Sequence, residues 1–125
     1  MSGTKLFVDT NIILYLLNGD ETLSEFLNGR QIYISFITEL ELLGYQGINV
    51  EERKTVKKFI SQCKVIDINK TIKEEVIRLR TSYKVKLPDA IIMASSIYLD
   101  LPLITSDAGF KRAEQDLNLV YYELS

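Results

Sequence analysis

The chain reads as an α/β protein, a three-layer α/β/α sandwich on a parallel five-stranded sheet, and three observations predict it. Short apolar, β-prone runs alternate with helical spacings along the whole length. The strand-like runs are continuously apolar, as strands are when helices cover both faces of their sheet. Cap-type residues stand where most runs give way to a helix. With 125 residues, 46% of them hydrophobic, the chain is long enough for one domain with a real core and too short for two ordinary ones, so residues 1–125 are expected to form a single unit.

In order, Lys5-Leu6-Phe7-Val8 is a short buried strand, and Asp9-Thr10-Asn11 supplies caps before the helical run Ile12 to Leu17. Asn18-Gly19-Asp20 breaks that helix, and Thr22 with Glu25 has capping-box spacing ahead of Phe26 and Leu27. Gln31 to Ser35 is rich in β-formers, after which Thr38 reads as the cap of a helix running through Glu41 to Gly44. Glu51 to Ile60 is amphipathic, Val65 to Ile68 is a third strand, and Thr71 to Tyr83 returns to helical spacing. Pro88 in a first turn opens Asp89 to Leu99, whose Ala90, Ile91, Ala94, Ile97 and Tyr98 form an apolar stripe. Leu101 to Thr105 is a fourth strand, Ser106-Asp107 caps a short helix through Phe110 and Ala113, and Leu119 to Tyr122 closes as a fifth.

Right-handed crossovers keep such strands parallel, and ligands then bind beyond the strands' carboxyl ends. Asp9 follows the first strand and Asp107 the fourth, so both belong at that edge.

Composition removes whole mechanisms. The chain has no histidine, so it has no Ser-His-Asp or Cys-His pair, no histidine base and no imidazole-bound zinc. The lone Cys63 excludes an internal disulfide and a cysteine zinc cage, and is expected to pack as a small hydrophobe. Carboxylates must carry any chemistry, and their hard oxygens suit Mg2+ or Mn2+. No leader-like or membrane-spanning stretch is visible, and a cytoplasmic protein is expected. A net charge of -2 does not by itself mark a nucleic-acid binder.

Four acids, Asp9, Glu41, Asp89 and Asp107, each stand beside a strand end or a helix start. Singly, each has an ordinary use: Asp9 and Asp107 as caps, Asp89 as a first-turn acid, and Glu41 as the third residue after Thr38 in a capping box. Four such acids converging on one sheet edge would repel one another unless a cation or a shared proton compensated, and a metal site explains them together. Lys84 and Lys86 before Asp89, and Lys111 and Arg112 after Asp107, are placed to touch phosphates at its rim. Ser106 and Thr105 could bond metal-bound waters or neighbouring carboxylates, although ordinary turn chemistry also explains them.

The pieces Phe7-Val8-Asp9-Thr10-Asn11, Ser35 to Gly44, Leu87 to Ala94 and Leu103-Ile104-Thr105-Ser106-Asp107 resemble, in order, the motifs of PIN-domain nucleases, and among them the VapC-like toxins of type II toxin-antitoxin systems. The resemblance implies a five-stranded parallel sheet, an acidic pocket for Mg2+ or Mn2+, and hydrolysis of RNA phosphodiesters. It implies that Asp9, Asp89 and Asp107 hold the metal, that Glu41 is a ligand or water-orienting base, and that Asn11 supports the site from behind the ligands. It also implies a homodimer silenced by a small antitoxin. The apolar residues Ile12 to Leu17 and Glu41 to Tyr45 are candidates for a partner surface, and core packing competes for them.

Other readings are weaker on the residues. A receiver-type signalling module needs an acidic pair after its first strand and a lysine after its fifth, whereas Asp9 has no adjacent acid and the last strand leads into Glu123. An aspartate-nucleophile phosphatase would need its second aspartate where Asn11 stands. A non-catalytic interaction module, and an RNA-processing PIN nuclease that is not a toxin, remain as alternatives.

Overall fold

Within the strand Lys5–Val8 (β1), Phe7 points to one side of the sheet and Leu6 and Val8 to the other, and this two-residue alternation sorts the core into two layers. The structure is a computed structural model that describes residues 4–124; the remaining ends of the expected single unit, residues 1–3 and 125, lie outside the described residues. After β1 come α1 (Thr10–Leu17), α2 (Glu21–Leu27), β2 (Gln31–Ser35), α3 (Phe36–Leu43), α4 (Val50–Ser61), β3 (Lys64–Ile66), α5 (Lys70–Ser82), α6 (Leu87–Leu99), β4 (Leu103–Thr105), a 3-10 segment (Ala108–Asp116) and β5 (Leu119–Tyr121).

All pairings are parallel and the sheet order is β3-β2-β1-β4-β5. One core layer packs Phe7, Tyr33 and Leu103 against Ile72, Val76 and Leu79 of α5, the buried face of α6 and Phe110. The other packs Leu6, Val8, Ile34 and Ile104 against Ile12 and Ile13 of α1, Leu23 of α2 and Val56 of α4. The expected three-layer sandwich on five parallel strands is therefore the observed fold. The chain lays β2 and β3 to one side of β1, then crosses back to add β4 and β5 on the other. The reversal falls between β1 and β4, where Phe7 pairs with Leu103 and Val8 with Ile104, and a crevice opens at such a reversal beyond the strand ends.

Local starts differ from the expectation in instructive ways. The cap of α2 is Asp20, whose side chain accepts from the Leu23 N–H, and not Thr22. The cap of α3 is Ser35, the last residue of β2, so the helix begins directly off the strand and Thr38 lies inside it. Glu41 therefore belongs to no capping box. A capping box does form at α4, between Asn49 and Glu52. The helix expected after Asp107 is a 3-10 segment with a kink at Ala113. The third strand ends at Ile66 and the fourth starts at Leu103, each shorter than its apolar run. The α6 stripe is buried at Ala90, Ile91 and Ala94, but Tyr98 is exposed. Cys63 is half-buried against the α4 layer, where burial pushes its thiol up to about 11, consistent with a packing role. Among the described residues no helix is long and apolar enough to cross a membrane.

Candidate functional site

The crevice between β1 and β4 is where the acids gather, because each is carried there by an element that ends or begins at the carboxyl edge of the sheet. Asp9 is the residue after β1 and caps α1, its Oδ1 accepting the Thr10 N–H at 2.8 Å. Its other oxygen accepts the Thr105 hydroxyl, from the end of β4, at 2.7 Å. Thr105 in turn accepts the Asp107 N–H at 3.1 Å, and Asp107 caps the 3-10 segment through the Gly109 N–H at 2.8 Å. A Cβ at position 109 would lie 3.1 Å from Asp107 Oδ1, a tight contact that glycine avoids. Asp89 sits in the first turn of α6 beside Pro88. Glu41 stands on α3, exposed, and its Oε1 accepts the Thr10 hydroxyl at 2.8 Å.

Electrostatics binds the four into one site. Asp9 is only 4% exposed, and burial pushes its carboxyl up to about 6; the bonds from Thr105 and Thr10 pull the other way, while Asp89 and Asp107 add to the rise. Burial also raises Asp89, with Asp107 and Glu41 adding to the rise and Lys86 opposing it. Asp9 and Asp89 thus feel the negative charge of the other acids, although the four come from separate segments of the chain. Capping and clustering are not alternatives here, since Asp9 and Asp107 do both.

Among the described residues no three acidic or thiol side chains are drawn closely enough to form a closed metal cage. The donor chemistry nonetheless fits a hard divalent cation: only carboxylate oxygens are offered, and each Asp9 oxygen, with one hydrogen bond made, keeps a lone pair. Cys63 precedes β3 at the opposite edge of the sheet and takes no part.

Of the expected rim cations, Lys86 and Arg112 line a cleft of about 210 Å³ together with Asp89, Asp107, Val85 and Gly109. Lys84 contributes its carbonyl, which accepts from Arg112 at 3.1 Å. Lys111 instead lies over the Tyr121 ring, 4.0 Å from its centre. Asn11 is exposed and its side chain engages none of the carboxylates; Ser106 faces the Tyr15 hydroxyl at 3.5 Å. The hydroxyls that do brace the acids are Thr105, Thr10 and Thr38, the last bonded to Thr10 at 2.9 Å. Thr10 and Thr38 were legible only as caps. The signal that could have found them is that Thr10 immediately follows Asp9 and that Thr38 shares a helical face with Glu41, three residues on.

Roomier clefts lie elsewhere, one of about 420 Å³ beside α5 and one of about 320 Å³ between α1 and α4, but neither gathers the four acids. The second is lined by Leu14, Leu17, Leu42, Tyr45 and Val56, so part of the expected partner surface is open while Ile12 and Ile13 are core.

The family model described as PIN domain matches residues 6–115. No curated protein sequence matches the chain. Among solved structures, a chain of a toxin-antitoxin complex from Klebsiella pneumoniae is 32% identical, with a TM-score of 0.81 over 95% of this chain and 99% of that one. A chain in the structure of DNA-bound VapBC from Salmonella typhimurium is 22% identical, with a TM-score of 0.83 over 94% of this chain and 97% of that one. A chain of VapBC2 from Rickettsia felis, bound to a promoter DNA fragment, is also 22% identical, with a TM-score of 0.80 over 95% and 99%. At 22% identity the likeness speaks for the fold alone.

Proposed function

The chain belongs to the PIN-domain family, and on that premise we propose that it is a metal-dependent endoribonuclease, the toxin of a type II toxin-antitoxin pair. The observation that carries this reading is the convergence of Asp9, Glu41, Asp89 and Asp107 at the sheet's switch point, with Asp9 buried at an ionisation cost that a divalent cation would offset. Asp9, Asp89 and Asp107 are the residues that would hold Mg2+ or Mn2+. When bound, such a cation supplies positive charge against the phosphate oxygens and acidifies a water at neutral pH.

The chain's own groups do the rest. Thr10 orients Glu41, which is exposed and therefore able to take a proton from an attacking water. Thr105 fixes Asp9, and the Gly109 N–H fixes Asp107, so that neither carboxylate swings out when substrate arrives. Lys86 and Arg112 flank the cleft beside Asp89 and Asp107, where they would meet the phosphates next to the cut. Lys84 and Lys111 would extend the basic rim, and Asn11 and Ser106 would act from behind the ligands.

The partner assignment rests on the Klebsiella pneumoniae likeness, a toxin-antitoxin complex at 32% identity. A small antitoxin fits the apolar cleft of Leu14, Leu17, Tyr45 and Val56, and a homodimer belongs to the same reading. One cytoplasmic domain over 1–125 completes the reading. The test is incubation of wild type and Asp9→Asn with mixed cellular RNA under Mg2+, Mn2+ and a chelator, with the cut ends mapped. Cutting that requires both metal and Asp9 is expected; folded wild-type protein that cuts under no condition sinks the assignment.

A further inference from the structure

We propose that Thr38 is a positioning residue for Glu41, acting through Thr10 in a directed chain of hydroxyls. A serine or threonine inside a helix commonly turns its hydroxyl back to a carbonyl of the preceding turn. Thr55, Thr81, Ser95 and Ser96 all do so. Thr38, fully buried within α3, instead reaches across to Thr10 on α1, 2.9 Å away.

Proton counting gives the direction of the chain. A carboxylate only accepts, so the single proton of the Thr10 hydroxyl goes to Glu41 Oε1, at 2.8 Å. Thr10 then has no proton left for Thr38, and Thr38 must be the donor in the bond between them. The order is Thr38 to Thr10 to Glu41. Both hydroxyls are buried, so the link between Thr38 and Thr10 is shielded from water, while the link to the exposed Glu41 is part-buried, and each link polarises the next.

Glu41 otherwise has the rotamer freedom of an exposed glutamate, and no second bond to its carboxylate is made by the described residues. Because Thr10 directly follows Asp9, the chain fixes one Glu41 oxygen relative to Asp9 and leaves the other oxygen to face water. A part of the geometry of two acids thus depends on a residue that touches neither substrate nor metal. The inference rests on the reading of Glu41 as part of the nuclease site.

The experiment combines steady-state RNA cleavage with the Glu41 side-chain rotamer measured from NMR three-bond couplings in Thr38→Val, Thr38→Ser, Thr10→Val and Glu41→Gln. Removing a hydrogen bond that serves a charged group is expected to lower kcat by about 10- to 100-fold in Thr38→Val, with KM little changed. Thr38→Ser keeps the donor and should stay within about threefold of wild type. Added to Glu41→Gln, Thr38→Val should cost nothing further, because the chain then has no base to position. Wild-type kcat and a single Glu41 rotamer in folded Thr38→Val overturn the chain. If Thr38→Val does not fold, Thr10→Val decides, since it breaks the next link and wild-type kcat there is equally fatal. A wild type that cuts no RNA, but whose fixed Glu41 rotamer is lost in Thr38→Val, overturns the nuclease reading and leaves the chain standing.

Discussion

Asp9 concentrates the energetic problem of the site in one residue. Its carboxyl rises from 3.8 to about 6, chiefly through burial, even though Thr105 and the Thr10 N–H both stabilise the ionised form. The folded state therefore holds a proton that the unfolded chain has already released between those two values. Stability from this group is present below about pH 4 and is lost as pH rises through about 6, a swing of at most about 3 kcal/mol. Asp89 is shifted in the same direction and adds to the trend. Asp9→Asn keeps the shape, its amide able to accept from Thr10 and to face Thr105, and has no proton to lose. Metal-free wild type should accordingly lose stability relative to Asp9→Asn between pH 4 and 7, as read by urea unfolding. Saturating Mg2+ at pH 7 should stabilise wild type and leave Asp9→Asn largely unaffected. Parallel pH profiles for the two proteins would mean that Asp9 titrates as an ordinary surface acid.

At the scale of elements, backbone conformation makes a separate demand. Asp100 ends α6 in the left-handed region, with φ 54° and ψ 48°, and puts a negative charge at the negative end of the helix dipole. Asp100→Gly relieves both and should raise stability by about 0.5–1 kcal/mol, whereas Asp100→Ala, which keeps a Cβ in a region hostile to it, should not. Urea unfolding of the two variants distinguishes conformation from charge, since both remove the carboxylate and only one suits the backbone. The same level shows what the sequence could and could not reveal. The bounds of β1 and β2 follow from their β-forming runs, and the caps of α2 and α3 do not. Several cap-competent side chains stand close together at each start, and the residue just before the first helical turn wins, which depends on where the strand or turn releases the chain. The acids were legible because parallel topology sends strand ends to one edge. The bracing role of Thr10 and Thr38 was not, because every threonine has an ordinary local use until its partner across the fold is known.

For the whole molecule the question is how an acidic protein attracts a polyanion. Seventeen acidic residues face fifteen basic ones, and four of the acids meet at the edge where RNA is proposed to lie. Lys86 and Arg112 are cations beside that cluster, too few to outweigh it. A divalent ion held by the carboxylates would reverse the local sign without changing the rest of the surface. Binding of RNA should therefore depend on the metal before any cutting occurs. With Glu41→Gln used to slow hydrolysis, fluorescence anisotropy of a labelled RNA should show affinity at least about tenfold higher with Mg2+ than with a chelator. That gain should shrink in the Asp9→Asn, Glu41→Gln double variant. Arg112→Gln should weaken binding across RNA sequences alike and reduce the salt dependence by about one phosphate contact, because a guanidinium on the backbone carries position but no sequence information. Equal affinity with Mg2+ and with the chelator would place RNA recognition on some other face of the protein, away from the acids between β1 and β4.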